Sequence, residues 1–105
     1  MDTLSRVEET IAQRLNAGDA GSSYVASLHA RGLSVIARKL GEEAVEAIVA
    51  ALSGTREELT GEAADVLFHL LVLLAERGVR FAEVLAELDR REGTSGLDEK
   101  ASRSS

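Results

Sequence analysis

"KLGEEAVEAIVAAL", residues 39–52, decides how this chain is read. Three glutamates, Glu42, Glu43 and Glu46, stand in a stretch that is otherwise aliphatic apart from Lys39 and Gly41. On a helical wheel advancing about 100° per residue, with Glu42 at zero, Glu46 falls at about 40°, Lys39 at about 60° and Glu43 at about 100°. Leu40, Val45, Ala47, Ile48, Val49 and Leu52 spread around the rest of the circle. A helix that is apolar all round is normally buried. Unpaired buried carboxylates must take up protons or find a cation. Three within one turn exceed what Lys39 alone neutralises, and a divalent metal ion answers the excess. The other reading is a solvated acidic face with Glu–Lys pairing along the helix.

The stretch "ELTGEAADVLFHLLVLLAERG", residues 58–78, repeats the pattern. Glu62, Asp65 and His69 fall at about 0°, 300° and 340° on its wheel, one narrow polar stripe that Glu58 and Glu76 extend. By itself this stripe also suits a solvent face, and a lone His69 suits a hydrogen-bonded structural histidine. Only "SGT" separates the two helices, so they are expected to pack antiparallel as a helical hairpin. Four or five carboxylates then converge on the gap between them. Hard oxygen donors, with no cysteine and two histidines in the chain, select Mg²⁺ or Mn²⁺ over zinc or copper.

Around this hairpin the expected fold class is all-α, with five helices. The first covers about residues 4–17, with Asp2 or Thr3 as N-cap and Gly18 beyond its end. "GDAGSS" is a loop, and a short second helix runs from Ser22 or Ser23 to Gly32. The third covers about residues 34–52. Thr55 and Glu58 have capping-box spacing and open the fourth, which reaches Arg77. The fifth, "RFAEVLAELDRR", stops at Gly93. One domain over residues 1–93 and a disordered tail over 94–105 follow, the tail having too little apolar content to fold.

The 105 residues are 45% apolar, enough for a core, and lack proline, tryptophan and cysteine. That excludes a disulfide framework and a thiolate site. No secretory signal is read at the N-terminus, and the apolar run 66–75 is too short to span a bilayer, so a cytoplasmic location without membrane attachment is expected. The formal charge of −6 argues against nucleic acid as partner. A phosphorylated ligand bridged by metal remains compatible.

Glu43-x-x-Glu46, fifteen residues, then Glu62-x-x-Asp65 is similar to the metal-binding signature of the MazG-like all-α nucleoside triphosphate pyrophosphatases. "SSYVASL", "ARKLGEEAVEAIVAAL", "ELTGEAADVLFHLLVLLAERGV" and "VLAELDRR" narrow this. Over about residues 4–93 the chain resembles the phosphoribosyl-ATP pyrophosphatases of histidine biosynthesis. The resemblance implies a Mg²⁺-dependent hydrolase that cleaves the α–β phosphoanhydride of phosphoribosyl-ATP to phosphoribosyl-AMP and pyrophosphate. It places Glu42, Glu43, Glu46, Glu62 and Asp65 on the metal; the hydrolysis also needs a base for the attacking water, and Glu42 or Glu43 is the candidate. The resemblance places Lys39 at a phosphate and Tyr24 at the substrate, and matches His69 to a family histidine. One departure is Val35, where relatives often carry lysine in "G-x-x-K-I"; Arg31 or Arg38 then has to supply that cation. A separate phosphoribosyl-AMP cyclohydrolase is expected to act downstream.

Three functional readings follow. One is the histidine-pathway pyrophosphatase. Another is a housecleaning enzyme of the same superfamily that hydrolyses non-standard nucleoside triphosphates with the same metal site. A third is a non-enzymatic helical module with a solvated acidic stripe. The all-round apolar character of helices three and four further implies a homodimer forming a four-helix bundle, with Leu67, Leu70, Leu71 and Leu74 among the residues covered by the partner.

Overall fold

A computed structural model describes residues 2–17, 23–93, 96 and 100. Among them lie five helices: α1 (Thr3–Ala17), α2 (Tyr24–Arg31), α3 (Leu33–Ser53), α4 (Arg56–Glu76) and α5 (Phe81–Arg91), and no strand. The expected all-α class and helix order hold. The expected "GDAGSS" loop, except Ser23, and the expected disordered tail, except Gly96 and Lys100, lie outside the described residues.

Local chemistry sets the helix ends. Asp2 Oδ1 accepts from the Ser5 amide at 2.8 Å, so Asp2 caps α1. Ser23 Oγ accepts from the Ala26 amide at 3.0 Å and caps α2. Thr55 and Glu58 close the expected box: Thr55 Oγ1 accepts from the Glu58 amide at 3.1 Å, and Glu58 Oε1 accepts from the Thr55 amide at 3.2 Å. Between α2 and α3 the chain turns at Gly32 with φ of 99°, a backbone angle glycine adopts without steric cost. Glu8 Oε2 accepts from the Phe81 amide at 2.6 Å, tying α1 to the first turn of α5.

The centre of the fold is the antiparallel α3–α4 hairpin, with α1 and α2 packed across one side of it. Ile11 of α1, Val25 and Leu28 of α2, Ile36 of α3 and Leu71 and Val72 of α4 form the core. On the wheel defined above, the two buried residues of α3, Ala50 and Ile36, fall at about 80° and 120°. Glu43 lies between them at about 100°, so the packing that buries this helix also turns Glu43 toward α4.

One expectation needs correction. Within this chain α3, apolar all round, is covered along one strip only. Val45, Ile48, Val49 and Leu52, at about 240–340° on the wheel, are exposed, Ile48 by 58% and Leu52 by 83%. Leu71 was expected to face a partner, yet it is 2% exposed inside this chain, because α4 turns that side toward α1 and α2. Leu70 and Leu74 are partly covered, and Leu67 is exposed. The uncovered apolar surface is therefore mainly on α3.

Candidate metal centre

Glu43 comes from the middle of α3, and Glu62 and Asp65 come from one turn of α4. Each presents a carboxylate oxygen, and the three oxygens lie within 4.8 Å of one another. Glu62 and Asp65 stand three residues apart, which puts both on one face of α4. The short Gly54–Thr55 connection then sets that turn beside the Glu43 turn of α3.

This arrangement is electrostatically uncomfortable. Burial pushes the Glu43 carboxyl above its ordinary value, helped by a hydrogen bond with Glu46 and by the negative charges of Glu46 and Asp65, with His69 opposing weakly. Burial also raises the Glu62 carboxyl, and Glu46 and Asp65 add to the rise, against a hydrogen bond with Glu43 that lowers it. Glu46 thus belongs electrostatically to the group. Glu43 Oε2 and Glu62 Oε2 are occluded from solvent and accept no hydrogen bond. Lone pairs facing a carboxylate cluster without a donor fit a hard divalent cation, which supplies the missing positive charge.

Beside the cluster, His69 is 5% exposed. Its Nδ1 lies 2.7 Å from the Asp65 carbonyl oxygen, which accepts only, so Nδ1 carries the hydrogen. In the neutral ring Nε2 then accepts from the Tyr24 hydroxyl at 2.9 Å. Tyr24 also stacks on Phe68, with ring centroids 6.3 Å apart and planes at 24°. Both nitrogens of His69 are therefore used inside the chain. The ring fixes Tyr24 to the turn that carries Asp65.

The sequence of this chain matches the family described as Phosphoribosyl-ATP pyrophosphohydrolase over residues 4–92. The chain belongs to that family. It is 66% identical over 101 residues to a phosphoribosyl-ATP pyrophosphatase of Rhizorhabdus wittichii, covering 96% of this chain and 94% of that protein. It is 65% identical over 103 residues to the Erythrobacter litoralis protein of the same name, covering 98% of each. The Novosphingobium aromaticivorans relative, again so named, is 62% identical over 103 residues, covering 98% of this chain and 95% of that protein. A pyrophosphatase generally works with a divalent metal ion, and this family member carries an acidic cluster able to hold one.

Within this family frame, the structure brings together Glu43, Glu62 and Asp65, with Glu46 adjoining. It does not bring Glu42 into that group. Glu42 instead lies 3.7 Å from Arg38 Nε and 3.6 Å from Lys39 Nζ, on the solvent side of α3. The acidic stripe of α4 is also shorter than the wheel suggests, since Glu58 closes the helix cap and Glu76 pairs with His29 Nδ1 at 2.8 Å. Val35 packs against the core, Arg31 is exposed at the end of α2, and Arg38 is the cation nearer to the cluster in sequence. Sequence reasoning missed Phe68, Ser23 and Arg14 around Tyr24. Arg14 sits on the polar side of an amphipathic helix, where nothing in the sequence sets it apart from other surface arginines.

Proposed function

We propose that the chain hydrolyses the α–β phosphoanhydride of phosphoribosyl-ATP to phosphoribosyl-AMP and pyrophosphate, an early step of histidine biosynthesis. Its metal would be Mg²⁺, with Mn²⁺ as the substitute, held by Glu43, Glu62 and Asp65 with Glu46 at the edge. The observation that carries this reading is the pair of occluded, unsatisfied Glu43 and Glu62 oxygens inside a three-carboxylate group, in a member of this family.

The chemistry asks for charge neutralisation on the phosphates and an aligned water. Bound metal would neutralise phosphate charge and make a bound water more acidic. The water oxygen bonds to phosphorus, the bridging P–O bond breaks with its electron pair leaving on pyrophosphate, and the water proton passes to a carboxylate. Of the two candidates for base, Glu43 is the one the fold sets beside Glu62 and Asp65, whereas Glu42 is turned to Arg38 and Lys39. Glu42 plays a different part, holding the Arg38 and Lys39 side chains on α3, where they meet the outer phosphates. Tyr24 meets the substrate, and His69 acts through Tyr24 rather than by touching the ligand.

Further parts of the reading concern the assembly. The exposed strip Val45, Ile48, Val49 and Leu52 pairs with its copy in a homodimer, completing a four-helix bundle. The protein works in the cytoplasm, supplying a separate cyclohydrolase; among the described residues no helix is long and apolar enough to cross a membrane. Pyrophosphate release from phosphoribosyl-ATP, measured beside a panel of ordinary and modified nucleoside triphosphates, tests the activity. The expected result is a strong preference for phosphoribosyl-ATP that Asp65→Asn abolishes. Preference for another triphosphate overturns the substrate and supports the housecleaning branch; no metal-dependent release from any of them overturns the enzyme.

A further inference from the structure

On the α1 side of Tyr24 lies a cleft of about 380 Å³, lined by Val7, Thr10, Arg14, Ser23, Tyr24 and Phe68 with the buried Ile11 and Val25 at its floor. Tyr24 is 48% exposed, although its ring is held on one side by Phe68 and at its hydroxyl by His69. A rigid, half-bare aromatic ring is a stacking surface, and on its open side no stacking partner lies among the described residues. Arg14 shares the cleft and is exposed, and among the described residues no hydrogen bond or ion pair engages it. An apolar floor, an aromatic wall and a guanidinium at the rim that pairs with none of the described residues make a site for a flat heterocycle bearing an anion.

The cleft is coupled to the carboxylate cluster. Phe68 is three residues beyond Asp65 on α4, a rise of about 4.5 Å. The Tyr24–His69–Asp65 hydrogen bonds run alongside, at 2.9 Å and 2.7 Å. Tyr24 is thus joined through His69 to the turn that carries Asp65, so a triphosphate engaged at the carboxylates has its nucleoside end free to turn toward Tyr24. Phosphoribosyl-ATP differs from ATP by a second ribose 5-phosphate on the purine, on the far side from the triphosphate. That extra anion needs a cation beyond the aromatic wall, and Arg14 of α1 is the cation the cleft supplies.

We propose that this cleft receives the purine and phosphoribosyl end of the substrate, the base against Tyr24 and the 5-phosphate of the added ribose at Arg14. The assignment rests on the activity proposed above and adds the device that separates phosphoribosyl-ATP from ordinary triphosphates.

Steady-state hydrolysis of phosphoribosyl-ATP by wild type, Arg14→Gln and Arg14→Lys tests it, with ribose 5-phosphate as competing probe. Loss of a charged hydrogen bond to phosphate raises KM for Arg14→Gln by roughly ten- to a hundredfold, with kcat within about threefold of wild type. Arg14→Lys recovers part of the loss, and inhibition by ribose 5-phosphate weakens in the order wild type, Lys, Gln. Arg14 is exposed, so circular dichroism and melting remain those of wild type. An active wild type whose KM and ribose 5-phosphate inhibition survive in Arg14→Gln overturns this site and leaves the activity standing. A wild type inactive on phosphoribosyl-ATP overturns both. A change in sedimentation of Arg14→Gln, with KM unchanged, reassigns the cleft to a contact between copies and overturns the site.

Discussion

If the carboxylates of Glu43, Glu62 and Asp65 hold magnesium as proposed, magnesium and protons compete for them, and that competition has a measurable sign. Consider thermal unfolding of wild type and Glu62→Gln, each with excess chelator or with Mg²⁺, at one protein concentration. A ligand that binds only the folded state at a hundred times its Kd stabilises by about 2.7 kcal/mol, which for a chain of this size raises Tm by roughly 10–20 °C. Wild type should show that rise. Glu62→Gln, having lost one of three converging oxygens, should show little of it. Without metal the order reverses. The Glu62 carboxyl is raised from its ordinary 4.5, first by burial and then by Glu46 and Asp65, so the folded state holds its proton more tightly than the unfolded chain does. Stability from that proton is fully present below about pH 4.5 and is lost as pH rises through the higher folded value. Metal-free wild type therefore melts below metal-free Glu62→Gln at neutral pH, and the two converge as pH falls toward 4.5. Other carboxyls work the opposite way: Glu87, held down to about 2 by Arg90 and Arg91, adds stability that is fully present above pH 4.5 and is lost as pH falls toward 2. Taking the difference between variant and wild type at each pH cancels such groups. A wild-type Tm indifferent to millimolar Mg²⁺, or a variant less stable than wild type in chelator at pH 7, would refute the reasoning.

Three more outcomes follow from the packing and the hydrogen bonds. Leu28 is fully buried where α2 meets the core, so Leu28→Ala should cost about 2–5 kcal/mol in chemical denaturation with an unchanged m-value; a loss well under 1 kcal/mol would mean the core is not closed there. Ile48→Glu places a charge in the middle of the exposed α3 strip, and sedimentation should show a dimer for wild type, as proposed, and a helical monomer for the variant; a dimeric variant would move the interface elsewhere. Tyr24→Phe removes the hydroxyl that meets His69 Nε2 and should cost about 1 kcal/mol of stability, read as a lowered Tm; an unchanged Tm would show that water replaces the hydroxyl at no cost.

Helix positions were legible because they rest on local chemistry. The caps at Asp2, Ser23 and Thr55 are readable from a few neighbouring residues, and so is the hairpin that a three-residue break imposes. The convergence of Glu43 with Glu62 and Asp65 was legible for the same reason, since spacing along each helix and a short connection leave few other arrangements. Rotation of α3 about its own axis was not legible. The wheel gives Glu42, Glu46 and Glu43 as one acidic arc and has no means of choosing its centre. That choice belongs to Ile36 and Ala50, whose burial swings Glu43 inward and leaves Glu42 to Arg38 and Lys39. The same rotation leaves the apolar strip of α3 uncovered within this chain. Val45, Ile48, Val49 and Leu52 stand on the side away from that packing, so no surface within the described chain meets them. Val45 and Val49 also line, with Glu46 and Glu62, a cavity of about 360 Å³ beside the carboxylates. A second copy seated on the strip would close one wall of that cavity and exclude water from it. In the lower dielectric the attraction between the carboxylates and a divalent ion strengthens. Dimerisation and metal affinity are then linked, so Ile48→Glu should weaken Mg²⁺ binding although Ile48 donates no ligand. Equal Mg²⁺ affinity in the monomeric variant and in wild type would separate the two and place the metal site wholly within one chain.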